Sequence, residues 1–183
     1  DLFSIYAAAA AKQAVIQSGL DASEGGNIDP YRFGVYVGSG IGGFPSTFKE
    51  IEKMIANGPR WVSPLYVPTM IPNMAAANIA MQHRAYGPCL SLGLACATGT
   101  NSIGEAFRAI KHGYADAIIS GGTESPLIPM AIAGFANTRT LSPSDDPDYA
   151  SLPFSADREG FVIAEGAGIL VLEDMEHAKA RGA

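Results

Sequence analysis

Two cysteines, one tryptophan and three histidines in 183 residues leave few groups of special chemistry. Two thiols are too few for a disulfide framework and fit a reducing compartment, so the expected location is the cytoplasm. Charge is also scarce. Only 16% of residues are charged, and 12 Lys+Arg against 18 Asp+Glu leave a formal charge of −6. A nucleic-acid surface needs a basic stripe, and no such stripe runs through this sequence. No apolar run reaches the length of a membrane span, and no signal peptide is visible, because the alanines at 7–11 are followed by Lys12 and a helical pattern. No internal repeat or low-complexity tract is present. What the chain has in excess is apolar character: at 48% hydrophobic residues it is oilier than a free-standing domain needs, which implies faces that meet a partner or a further half of the same fold. The length predicts one domain over 1–183, able to bury roughly 70% of its unfolded-chain surface.

Helix-like and strand-like stretches alternate, which predicts an α/β class. Apolar spacing predicts a helix over 3–17 that stops at Ser18-Gly19, followed by a polar loop over 21–30. Residues 33–38 are β-rich and feed a glycine turn, and 46–56 have the spacing of a helix that closes at Asn57-Gly58-Pro59. The four prolines of 59–72 predict an extended segment without a regular helix. A small-residue helix over 73–82 ends before Tyr86-Gly87-Pro88. Residues 88–93 read as a short buried strand, and 117–120 as another. With the helix between them they form a β-α-β unit that places two strands in one parallel sheet. Residues 142–160 are an acidic, proline-containing excursion, and 160–163 with 168–173 predict a hairpin around Ala164-Glu165-Gly166-Ala167.

Three short motifs are set aside. Gly38, Gly40 and Gly43 match a dinucleotide-binding spacing after a strand, but the acidic residue required about twenty positions on is replaced by Gly58-Pro59-Arg60-Trp61. Asp145-Asp146-Pro147-Asp148 lacks the glycine and distal glutamate of a calcium loop and reads as a solvated loop. Gly121-Gly122-Thr123-Glu124 reads as a strand end with close backbone packing. No metal or cofactor is expected.

The remaining feature is Cys96, in Leu94-Ala95-Cys96-Ala97-Thr98-Gly99, between a strand-like stretch and a helix in which Ile103, Ala106, Phe107 and Ile110 recur until Gly113 stops it. A thiol at a helix start feels the positive end of the dipole and sits beside unpaired N–H groups, which favours a nucleophilic thiolate. A cysteine amid small apolar residues is as readily an inert core residue. Placement alone leaves the two readings level.

Four ordered blocks decide between them: Gly38-Ser39-Gly40-Ile41-Gly42-Gly43; Ala95-Cys96-Ala97-Thr98-Gly99; Ala115-Asp116-Ala117-Ile118-Ile119-Ser120-Gly121-Gly122-Thr123-Glu124; and Asp157-Arg158-Glu159-Gly160-Phe161-Val162-Ile163-Ala164-Glu165-Gly166-Ala167-Gly168. Over 34–43 and 67–183 the chain resembles the β-ketoacyl-acyl carrier protein synthases of the thiolase-like superfamily, in particular the elongating type II enzymes. The resemblance implies a thiolase-like α/β fold, with a mixed five-stranded sheet and helices on its faces, of which this chain is the N-terminal half without the first strand. It implies decarboxylative condensation of an acyl chain with malonyl-acyl carrier protein through a thioester on Cys96, in a homodimer that takes its substrates from acyl carrier protein. It also implies that Ile41 and Phe135 line the acyl tunnel, that Tyr66 reaches toward the pocket of the opposite subunit, and that Arg60 and Arg139 lie near the carrier-protein entrance. Family members draw two histidines and a lysine from the half that would follow Ala183. His83 reads as the polar end of a helix, and His112 and His177 as solvated helical residues, so none is given a catalytic role and the chain alone is expected to be acylated without completing condensation. Leu94, Leu152 and Ser155 depart from the family pattern where threonine, arginine and aspartate are usual. A polyketide ketosynthase, or a non-catalytic ketosynthase-like subunit, is the alternative; Cys96 counts against the latter.

Overall fold

The computed structural model describes residues 1–183. Two compact units form, one from Asp1–Ser125 with Gly166–Ala183 and the other from Pro126–Glu165. The first unit is built on a mixed four-stranded sheet of order β2-β1-β3-β4, in which β1 (Phe33–Gly38), β2 (Cys89–Leu90) and β3 (Ala117–Glu124) are parallel and β4 (Gly166–Glu173) runs antiparallel to β3. The mixed sheet is as expected, with four strands in place of five.

The strand alternation of β1 and β3 sends side chains to two helical faces. Phe33, Val35, Val37, Ala117 and Ile119 join one apolar cluster with Phe3, Ala7 and Ala11 of α1 (Leu2–Ser18) and Ala75, Ala76 and Ile79 of α4 (Met74–Gln82). Tyr36 and Ile118 face the other way, onto Ala106 and Ala109 of α5 (Thr98–Lys111). Buried residues on both faces explain why β1 has no polar alternation and reads as a continuous apolar run. Alanines at the i, i+4 positions of α1 present a flat stripe to the sheet. The helix ends as its sequence predicts, at Gly19 in the left-handed region with φ 68. Helix α2 (Phe44–Asn57) likewise closes at Gly58.

Four expectations are corrected. Residues 160–163 and 168–173 do not form a hairpin; β4 is matched over its full length with β3, from Ala117↔Glu173 to Glu124↔Gly166, and Phe161 makes only an isolated bridge to Leu141. The strand before Cys96 is not buried. It is a two-residue outer strand with both residues exposed, because only β1 flanks it. The proline-rich segment does contain a helix, α3 (Tyr66–Met70), where Pro68 sits in the first turn and its missing N–H removes no intrahelical bond. His177 is not a solvated helical residue.

His177 belongs to α8 (Met175–Ala180), and its Nδ1 lies 2.6 Å from Glu173 Oε1. Arg181 donates to both Glu173 oxygens at 2.7 Å and to the Ser18 carbonyl at 2.8 Å, so one guanidinium ties the end of β4 to the end of α1. The Arg181 bonds hold the Glu173 carboxyl below the usual carboxylate range. A depressed carboxyl contributes stability that is complete above its unfolded-state value and is lost as pH falls through the folded-state value. Arg181→Ala is therefore expected to cost about 1.5 kcal/mol at neutral pH, the worth of charge-assisted bonds between largely buried partners, and progressively less as pH falls through the folded-state value of the Glu173 carboxyl. Urea unfolding over that acid range measures the difference.

In the second unit α6 (Pro129–Asn137) and α7 (Pro147–Ala150) are joined by residues 138–146, in which Thr140 and Ser142 exchange backbone bonds with Phe161. Phe135 meets Phe161 edge to face at 5.3 Å.

Candidate active site

Cys96 sits in a single 3-10 turn, Ala95–Ala97, that runs straight into α5, and it is exposed. It is therefore no core residue. Three local features shape the turn. Ala95 takes φ 47, a left-handed conformation that costs a residue with a Cβ about 1–2 kcal/mol. The Leu94 N–H donates to Thr98 Oγ1 at 2.8 Å, which locks the entry to the turn onto the first residue of α5. The Ala97 N–H donates to the Leu94 carbonyl and the Thr98 N–H to that of Ala95. This pattern leaves the Cys96 N–H without an acceptor in the chain, beside the thiol and at the positive end of a 14-residue helix. Leu94, the departure next to the cysteine, is 55% exposed and fills no core space.

Glycines let α5 come this close to the strand ends. A Cβ on Gly38 would lie 2.2 Å from the Leu92 carbonyl oxygen and 2.4 Å from Thr98 Cγ2, and one on Gly122 would lie 2.9 Å from Gly99 Cα. Gly38, at the end of β1, is paired in register with Gly122 of β3, so the turn rests on two strands that carry no side chain at this pair.

A carboxylate secures the neighbouring loop. Glu124, the last residue of β3, accepts from Ser39 Oγ at 2.7 Å, from the Gly40 N–H at 2.8 Å and from the Ile41 N–H at 3.3 Å, while Ser39 Oγ accepts from the Gly42 N–H at 2.8 Å. The glycine turn that mimics a dinucleotide fingerprint thus wraps a side chain of its own protein. Sequence reasoning gave Glu124 no role, because its donors lie 83 to 85 residues away along the chain.

The other expected residues are distributed as follows. Ile41 follows Gly40 in this loop and is 41% exposed; the loop passes near the cysteine turn, since a Cβ added to Gly40 would lie 3.4 Å from the Ala95 carbonyl oxygen. Tyr66 opens α3, half-buried, and its hydroxyl donates to Thr47 Oγ1 of α2 at 3.3 Å. Arg60 is exposed in a 3-10 turn, Pro59–Trp61. Phe135 and Arg139 belong to the second unit, where Arg139 is exposed with φ 56. The histidines stand away from the cysteine turn: His83 caps α4 with Nε2 buried and unpartnered, and burial pushes its imidazole below the usual range; His112 follows the last turn of α5 with Nδ1 2.9 Å from the Arg108 carbonyl. No group of carboxylates, histidines and cysteines is arranged to hold a metal.

Residues 1–178 match the β-ketoacyl synthase N-terminal domain, and the chain belongs to that family. It is 50% identical over its whole length to the 3-oxoacyl-[acyl-carrier-protein] synthase 2 of Staphylococcus aureus and 46% identical to that of Vibrio cholerae, spanning 45% and 44% of those proteins. Among solved structures it superposes with a TM-score of 0.91 and 32% identity on a type II polyketide ketosynthase bound to its acyl carrier protein, covering 99% of this chain and 45% of that one. A β-ketoacyl synthase of Burkholderia phymatum matches with a TM-score of 0.84, 32% identity and coverage of 100% of this chain and 44% of that one. The α/β fold is that of the ketosynthases.

Proposed function

We propose that the protein is an acyltransferase of fatty acid elongation that condenses an acyl group, held as a thioester on Cys96, with malonyl-acyl carrier protein. The observation that carries this reading is the exposed Cys96 beside its own unengaged N–H at the start of α5, in a chain 50% and 46% identical over its whole length to two 3-oxoacyl-[acyl-carrier-protein] synthases. Sγ attacks the carbonyl carbon of the incoming thioester, the negative oxygen of the tetrahedral intermediate takes the Cys96 N–H, and the carrier's pantetheine thiol leaves with the proton. In the second half the malonyl thioester loses carbon dioxide, the resulting carbanion attacks the acyl-Cys96 carbonyl, and the Cys96 thiolate is released. That half builds charge on the malonyl thioester oxygen, which calls for hydrogen-bond donors. His83 ends α4, His112 follows α5 and His177 lies in α8, so none is assigned that task, and the step proposed for these 183 residues is acylation.

Ile41 and Phe135 are assigned to the acyl chain and Tyr66 to the boundary with a second subunit. A homodimer accords with the exposed apolar side chains around α2 and α3, Ile55, Trp61, Leu65 and Val67. The cytoplasm is the matching compartment for a chain with two free thiols, and no helix is long and apolar enough to cross a membrane. The polyketide reading has structural neighbours at 32% identity against 50% for the fatty acid enzyme, so elongation is preferred.

Arg60 and Arg139 are assigned to the acidic carrier protein. Opposite charge at the rim of an interface mainly raises the rate of encounter. Arg60→Glu with Arg139→Glu is expected to lower the second-order rate constant for acylation by acyl-carrier-protein donors about tenfold at low salt, and to leave acylation by the same acyl groups on a small pantetheine thioester unaffected. Equal losses on both donor types would show that the arginines act on the fold or the tunnel instead.

A further inference from the structure

The loop after β1 is held by a device that the reaction scheme does not use. Pairing of β1 with β3 ends at Gly38↔Gly122, and two residues later the Glu124 carboxylate continues the connection by taking the N–H groups of Gly40 and Ile41 and the hydroxyl of Ser39. Ser39 is almost wholly buried, and its oxygen passes the constraint on to the Gly42 N–H. The same loop also comes close to the cysteine turn: a Cβ on Gly40 would stand 2.8 Å from Glu124 Oε2 and 3.4 Å from the Ala95 oxygen. Gly40 thus faces both the carboxylate that holds its N–H and the residue before Cys96, with no room for a side chain. Ile41, next in sequence, leaves the clamp with its amide bound and its side chain substantially exposed.

We infer that Glu124 is a positioning residue for substrate selection: by fixing the backbone of 39–42 against the Cys96 turn it fixes where Ile41 stands, and so how the protein discriminates between short and long acyl chains. This rests on the ketosynthase reading for the identity of the substrate, whereas the clamp rests on the hydrogen bonds alone. A carboxylate suits the task because every group that faces it is a donor. The isosteric Glu124→Gln keeps the volume, but its amide offers one oxygen in place of two and turns an NH2 toward an N–H of the loop.

The experiment measures three things on the wild-type protein, Glu124→Gln and Ser39→Ala: amide hydrogen exchange at Gly40 and Ile41, the rates at which hexanoyl- and tetradecanoyl-acyl carrier protein acylate Cys96, and the rate at which iodoacetamide alkylates it. Glu124→Gln is expected to speed exchange at these amides about tenfold and to shift the ratio of the two acylation rates at least about threefold, with alkylation within about twofold of wild type. Ser39→Ala should fall between, and it carries the same comparison should Glu124→Gln fail to fold. Unchanged exchange would overturn the clamp. Faster exchange with an unchanged acyl ratio would overturn the role in selection, and so would equal slowing of both donors together with iodoacetamide, which would place the effect on the nucleophile. Wild-type protein that takes an acyl group from neither donor would sink the ketosynthase reading and the selection role with it, while the exchange data would still decide the clamp.

Discussion

Cys96→Ala is expected to lower acyl transfer from acyl carrier protein to the protein by a factor on the order of 10⁴ or more and to leave the fold unchanged. The loss is large because the side chain supplies the atom that holds the acyl group between the two half-reactions, and no second thiol can replace it: Cys89, the other one, sits on the outer strand β2 and not in the α5 turn. The fold should survive because Cys96 is exposed and its Sγ makes no hydrogen bond that shapes the turn; the bonds that do run through Leu94, Ala95, Ala97 and Thr98. Such a substitution changes stability by no more than about 0.5 kcal/mol, which thermal unfolding resolves. A variant retaining a tenth of the activity would show that acyl transfer proceeds without this thiol.

The second large effect concerns stability. Gly38→Ala adds a single methyl group where the Leu92 carbonyl oxygen and Thr98 Cγ2 already stand 2.2 and 2.4 Å from its position. One of these neighbours is backbone and the other belongs to a residue only 4% exposed, so neither can swing aside. Relief requires the end of β1, the segment after β2 and the first turn of α5 to separate, and overpacking of this kind costs about 3 kcal/mol. The same displacement moves Cys96, so acylation should fall along with the melting temperature. Gly104→Ala is the control: the site lies in the middle of α5 with nothing within 4 Å of the added carbon, and there alanine should stabilise by up to about 1 kcal/mol. Equal behaviour of the two variants would mean that the close approach at Gly38 does not hold the turn.

The elements that could be read from the sequence are those whose cause is local. The alanine stripe of α1, the glycine stops at Gly19 and Gly113 and the amphipathic spacing of α5 all lie within a few turns of the residues they govern. The four blocks around Gly38, Cys96, Gly121 and Gly160 identified the family for the same reason. What escaped were pairings made at long range. The partner of β4 is β3, more than forty residues back along the chain, and a sequence that alternates on both sides of Gly166 offers a hairpin equally well. The exposed state of β2 follows from its place at the rim of the sheet, which periodicity does not encode. Glu124 finds its donors 83 to 85 residues away, so nothing near it in the sequence announces its role. The Glu173, His177 and Arg181 cluster is the opposite case: the residues stand four apart, at the end of β4, within α8 and just past it, so their meeting is set within nine residues of sequence.

The central claim is that Cys96 accepts an acyl group from acyl carrier protein. It is tested most directly by incubating the protein with an acyl-acyl carrier protein, measuring its intact mass, and locating the added mass by peptide mapping. The account predicts one acyl group per chain, on the peptide that contains Cys96, released by hydroxylamine as a thioester is and absent from Cys96→Ala. An adduct on any other residue, or none at all on protein whose Cys96 still reacts with iodoacetamide, would contradict it.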